Sequence, residues 1–190
     1  EACDRLHVVE QRFRGVHPGH RALQLQQLLW RERGLERGEQ VATVAAEQQL
    51  PMALCAVELD EKRAERISEN LTRLQLPAAQ DTVEVVVQDA LQYAKQALAQ
   101  GVQFDAILLD APCSASGIVR RHPDVRWLRR ATDIQPLADI QDRLLDALWP
   151  LLKPGGRLLY CTCSVFKAEG EHRIEAFLQR QPDALRGMAP

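Results

Sequence analysis

Ala53-Leu54-Cys55-Ala56-Val57-Glu58-Leu59-Asp60 is an apolar run of strand length that ends in two acids, and its reading decides the fold. Asp60 is placed to cap a following helix, in which Ala64, Ile67, Leu71 and Leu74 recur at three or four residues until Pro77 stops it. The unit then repeats. Residues 83–87 form a second β-branched strand reaching Asp89, and 90–99 are helical in composition up to Gly101. Residues 104–109 form a third strand ending at Asp110, followed by a proline-containing loop and a helix expected from about Ile134 to Leu152, its last turn bent by Pro150. Lys153-Pro154-Gly155-Gly156 reads as a turn, 157–161 as a fourth strand and 169–180 as a closing amphipathic helix.

Strands alternating with helices make βαβ units, whose right-handed crossovers predict an α/β fold, a mainly parallel Rossmann-like sheet with helices on both faces. Ligands of such sheets bind at the carboxyl ends of the strands, and Glu58, Asp89, Asp110 and Cys163 all fall there, so they are expected to share one crevice. Residues 1–40 contain no recognisable strand and read as a divergent, mostly helical segment ahead of a catalytic core at 41–190.

The 190 residues, 46% hydrophobic and 26% charged, suffice for one core. A net charge of −2 excludes a uniformly basic nucleic-acid binder, yet Arg120, Arg121, Arg126, Arg129 and Arg130 cluster around a single Asp124. No stretch approaches a membrane span and the first residues are not a signal peptide, so a cytoplasmic monomer without a membrane partner is expected. The first residue is not Met, and a piece of a longer chain, incomplete at both ends, is expected. Five Cys at irregular spacing read as reduced thiols.

Glu58 suits the ribose hydroxyls of a nucleotide, or is a solvated carboxylate at a helix start; Asp89 suits an adenine amino group, or caps the next helix. Asp110-Ala111-Pro112-Cys113 fixes a carboxylate and a thiol in a rigid loop, because Pro112 restrains its own φ and keeps Ala111 extended. A second thiol stands in Cys161-Thr162-Cys163-Ser164 at the end of the neighbouring strand. Alternation would point Cys161 and Cys163 to the same side, so geometry alone leaves open which one faces Cys113. Cys-x-Cys also hints at zinc or thiol redox chemistry, but no second pair or clustered His supports a closed metal site, and no metal is expected. Cys55, in mid-strand, reads as an inert thiol. The arginine loop fits RNA phosphates, with His122 and Trp127 to stack on a base, or is a solvated turn that Trp127 anchors by packing.

Asp-Ala-Pro-Cys-Ser-Ala-Ser-Gly at 110–117, Arg-Arg-His-Pro-Asp-Val-Arg-Trp-Leu-Arg-Arg at 120–130 and Thr-Cys-Ser at 162–164 together resemble the RNA cytosine-C5 methyltransferases, most of all their bacterial branch acting on small-subunit ribosomal RNA. The resemblance spans about residues 54–178. It implies a class I fold using S-adenosyl-L-methionine, with Glu58 on the ribose, Asp89 near the adenine and Asp110 at the cofactor and target base. It further implies Cys163 as the nucleophile adding to C6 of cytosine and Cys113 as the thiol assisting product release. RNA is the implied partner, gripped by Arg120, Arg121 and Arg126, with its target base unpaired or flipped.

The family's glycine-rich cofactor loop has no counterpart in residues 28–38, Leu-Leu-Trp-Arg-Glu-Arg-Gly-Leu-Glu-Arg-Gly, and Gly170 replaces an expected Asn. The final strands usual in the fold are missing from the reading as well. The alternative is therefore a catalytically impaired RNA-binding remnant that keeps the thiols and arginines without the methyl donor.

Overall fold

The computed structural model describes residues 5–11, 53–73 and 83–187. The chain forms two compact units; the described residues of the first are 5–11 and 94–187, and those of the second are 53–73 and 83–93.

The second unit is the βαβ unit that the sequence predicts. Strands β2 (Leu54–Glu58) and β3 (Val83–Val87) pair in parallel, Leu54 opposite Val83 and Glu58 opposite Val87. Helix α1 (Glu61–Arg73) follows β2, and its first turn is capped as expected, with Arg63 N–H donating to Asp60 Oδ1 at 2.9 Å. Its Ala64 is buried. Helix α2 (Ala90–Ala99) has the bounds its composition predicts.

The first unit is built on a four-stranded sheet in the order β4-β5-β1-β6, comprising β4 (Phe104–Asp110), β5 (Leu152–Thr162), β1 (Arg5–Gln11) and β6 (Ala184–Arg186). β4 and β5 are parallel, with Asp110 opposite Cys161, and between them run the short helix α3 (Val125–Leu128) and the long α4 (Ile134–Leu148). Pro150 ends α4 in a tight turn at Trp149–Leu151, the bend its position predicts. Helix α5 (Glu171–Arg180) leads to β6.

Two expectations are corrected by this sheet. Residues 5–11 are a strand, not part of a helical segment: β1 runs antiparallel to β5, Val9 opposite Leu158, and to β6, Val9 opposite Arg186. Val8 and Val9 are both buried, as in a central strand covered on both faces. Alternation could not reveal it, since consecutive buried residues carry no period of two, and the strand exists only because β5 offers it a free edge. A strand also follows α5, where none is expected. The boundary expected at residue 40 lies outside the described residues, as do residues 28–38.

The anticipated turn at Lys153–Gly156 is a bulge inside β5. Phe104 pairs with Leu152 and Ala106 with Arg157, so the extra residues of β5 loop out between them. Gly155 takes φ +82°, and a Cβ on Gly156 would stand 2.9 Å from the Lys153 carbonyl oxygen and 3.0 Å from that of Asp105. Among the described residues, the strands pair as two separate ladders of four and two.

The core of the first unit lies between the sheet and the pair α4 and α5. Leu145, Leu151, Leu158, Tyr160, Ile174 and Phe177 are buried there, and the rings of Trp149 and Phe177 meet edge to face with centroids 5.2 Å apart. Arg173 and Arg180 of α5 bind Asp142 of α4 at 2.6 and 3.2 Å and so fix the helix pair above the sheet. No helix of the described residues is long and apolar enough to cross a membrane.

Candidate functional site

β4 and β5 end side by side because they are parallel neighbours, and the two loops leaving them carry Cys113 and Cys163. Their sulfurs stand 3.4 Å apart. The ambiguity between Cys161 and Cys163 is resolved by where β5 stops. Cys161 is still inside the strand, buried, with its thiol 3.5 Å from the Leu109 carbonyl oxygen and 3.8 Å from Asp110 Oδ1. The strand ends at Thr162, alternation lapses, and Cys163 turns to Cys113 instead.

Close approach of the loops depends on Gly117 and Ala115. Gly117 N–H donates to the Cys163 carbonyl at 2.8 Å, and a Cβ on Gly117 would sit 2.6 Å from that oxygen. Ala115 takes φ +59°, a left-handed conformation that costs a non-glycine residue on the order of 1 kcal/mol.

The two thiols are in hydrogen-bond contact and titrate as a linked pair. The hydrogen bond with Cys163, against the opposing effect of burial and with help from the backbone N–H groups of Ala115 and Cys163, lowers Cys113 to about 7. Cys163 is driven well above the ordinary thiol range by the same hydrogen bond, by burial, and by the negative charges of Cys113 and Asp110.

Side chains that sequence reasoning missed lock this arrangement. Ser114 and Ser164, each directly after a cysteine, donate from their hydroxyls to Glu169 Oε2 at 2.5 and 2.6 Å, and Ser114 N–H donates to Oε1 at 2.8 Å. Gln141 of α4 donates to the Pro112 carbonyl at 2.8 Å and accepts from Tyr160 at 3.0 Å. The available signal was three serines flanking two cysteines; Glu169 itself read as an ordinary acid at a helix start.

In the second unit, Glu58 and Asp89 end parallel neighbours, and both also perform the structural duty weighed for them. Glu58 Oε1 accepts from Asp60 N–H at 2.9 Å and pairs with Arg63 at 3.1 Å. Asp89 Oδ1 caps α2, accepting from the N–H groups of Leu91 and Gln92 at 3.0 Å. Cys55 is partly buried, bonded to Tyr93 at 3.2 Å, and its pKa is raised by burial, in keeping with an inert thiol.

Arg120, Arg121 and Arg126 are exposed, as are Arg129 and Arg130. Trp127 is 87% exposed, so it does not anchor the loop by packing, while the exposed arginines fit a solvated turn as well as an RNA contact. Among the described residues no three His, Cys, Asp or Glu cluster as a metal site would require.

In solved structures, the chain is similar to the crystal structure of PH0851, with a TM-score of 0.61 and 36% identity over 68% of this chain and 28% of that one. It is also similar to a methyltransferase homolog protein from Pyrococcus horikoshii, with a TM-score of 0.51 and 32% identity over 67% and 36% of the two chains. The fold is that of the class I S-adenosylmethionine-dependent methyltransferases. Residues 38–187 match the family model described as 16S rRNA methyltransferase RsmB/F, and the chain belongs to that family. The ribosomal RNA small subunit methyltransferase B of Vibrio cholerae is 54% identical over 129 residues, and that of Salmonella newport 53%, each match covering 68% of this chain. The chain spans 28% of the length of these relatives. Methyltransferases of this family take their methyl group from S-adenosyl-L-methionine.

Proposed function

We propose that this chain is the catalytic part of an enzyme that methylates C5 of a cytosine in small-subunit ribosomal RNA through a covalent adduct on Cys163. The observation that carries this reading is the pair of sulfurs 3.4 Å apart at the ends of adjacent strands. C5 of cytosine is a poor nucleophile until a thiolate adds at C6 and pushes electron density to C5. Cys113 takes the proton of Cys163, and the Cys163 thiolate then attacks C6. Asp110, one strand end away, stabilises charge on the ring during addition. S-adenosylmethionine supplies the methyl group as an electrophile. Cys113, once it has passed its proton to solvent, accepts the C5 proton as the bond to Cys163 breaks, which restores the aromatic ring and frees the thiolate.

The carboxylates of Glu58 and Asp89 suit the cofactor's ribose hydroxyls and adenine amino group, since both are acceptors at the carboxyl ends of parallel strands. Among the described residues Glu58 engages only its Oε1, so Oε2 remains to accept from a ribose. Calorimetric titration with S-adenosylmethionine tests this fit: micromolar binding is expected, lost in Glu58→Ala. Binding should be followed by labelling of cytosine C5 in small-subunit ribosomal RNA. A folded chain that binds RNA but no S-adenosylmethionine would instead be the RNA-binding remnant, keeping thiols and arginines without a methyl donor.

Arg120, Arg121 and Arg126 hold RNA phosphates beside the thiols, with Trp127 exposed to stack on a base. Replacing all three arginines by Ala should reduce the slope of log K against log salt by about 2 for single-stranded RNA, at about 0.7 per phosphate contact. An unchanged slope in filter-binding titrations would remove these residues from the interface.

A further inference from the structure

Glu169 is 0% exposed and pairs with no cation among the described residues. Burying a carboxylate without a counter-ion is costly, and an apolar side chain would serve stability better. Its hydrogen bonds show what it gains. One oxygen accepts from Ser114 N–H, and the other from the hydroxyls of Ser114 and Ser164, so one carboxylate holds the residue directly after each cysteine. The rest of the cluster is satisfied around it. Phe166 N–H donates to Ser164 Oγ at 3.1 Å, Val165 N–H donates to Ser116 Oγ at 3.0 Å, and Ser116 Oγ lies 3.1 Å from Ser164 Oγ. The Glu169 backbone is fixed as well, its carbonyl accepting from Tyr160 at 2.8 Å. β4 and β5 hold their strands in register only up to Cys161, and beyond that point Gly117 N–H to the Cys163 carbonyl is the direct backbone bond joining the two loops among the described residues.

We propose that Glu169 is a positioning residue: it clamps the Cys113 and Cys163 loops so that the two sulfurs stay in contact through the reaction. The proposal rests on the reading that both thiols take part in methyl transfer. Its test is chosen to be independent of that activity.

The measurement is the effective concentration of one thiol at the other, from equilibration with a glutathione redox buffer and mass analysis of the Cys113–Cys163 peptide pair. Oxidised glutathione takes two electrons from the two thiols, the sulfurs bond with loss of two protons, and two molecules of reduced glutathione form. Glu169→Ala should lower the effective concentration by about tenfold or more. Glu169→Gln should restore it to within about threefold of the parent, because its amide oxygen can accept from Ser114 N–H while its NH₂ donates to the two serine hydroxyls. If Glu169→Ala does not fold, the Ser114→Ala/Ser164→Ala double variant, which removes only the hydroxyl anchors, carries the same expectation. Folded variants with the parent's effective concentration would overturn the proposal, and so would a Gln variant as impaired as the Ala one. In the methylation assay Glu169→Ala should lower kcat and leave the KM for S-adenosylmethionine unchanged. A parent chain without methyl transfer would count against the function proposed above and leave the thiol result standing.

Discussion

Cys163→Ala is expected to abolish methyl transfer, by at least on the order of 10³-fold, and at the same time to make Cys113 less reactive toward iodoacetamide at neutral pH. The first effect follows from loss of the sulfur that forms the bond to C6, and is read by labelled methyl incorporation into small-subunit ribosomal RNA. The second follows from the hydrogen bond between the thiols. In the parent chain the Cys163 S–H holds the Cys113 thiolate, so Cys113 should alkylate with a midpoint near pH 7, its reactivity rising as pH increases through that value. Without that donor, burial is opposed only by the backbone N–H groups, and the midpoint should move up toward the ordinary thiol range. Cys113→Ala should act in the opposite sense on Cys163, because the hydrogen bond and charge that raise its pKa both come from Cys113. A midpoint for Cys113 that is the same with and without Cys163 would show that the two thiols titrate independently and would remove the base from the mechanism.

The largest expected loss of stability is at Phe177. Its ring is fully buried between α4 and the sheet and meets Trp149 edge to face, so Phe177→Ala removes both the burial and the ring pair and leaves a cavity under α5. The cost is about 3–5 kcal/mol, a fall in melting temperature on the order of 10 °C for a chain of this size. Because α5 follows directly from the turn that carries Glu169, the same substitution should also loosen the thiol pair. Thermal unfolding followed by circular dichroism checks the first effect; a loss below about 1 kcal/mol would mean that the helix pair re-collapses over the gap.

Residues with a strong local cause were legible without a structure. The run at 53–60 reads as strand and cap because apolar β-formers stop at an acid, and Asp60 caps α1 as read. The bounds of α2 and the strand ahead of Asp110 follow in the same way from composition, whereas α4, expected to run to Leu152 with a bend at Pro150, already ends at Leu148. Cys113 and Cys163 could be named from their motifs. Their contact could not, because it depends on the parallel pairing of β4 and β5 and on the strand ending one residue after Cys161.

β1 shows the limit from the other side. Seven residues with two adjacent valines have no period that marks a strand, and their conformation comes from hydrogen bonds to β5 and β6 that are distant in sequence. The bulge in β5 is similar, since Pro-Gly-Gly reads as a turn until the strand resumes its pairing beyond it. Glu169 is the clearest case. By itself the sequence determined the βαβ order, the strand-end acids and the cysteine motifs, all of which arise from local propensity and short-range chemistry. Only the tertiary structure decided which thiols meet and which carboxylate is buried to join their loops, because each of these depends on contacts between segments about fifty residues apart.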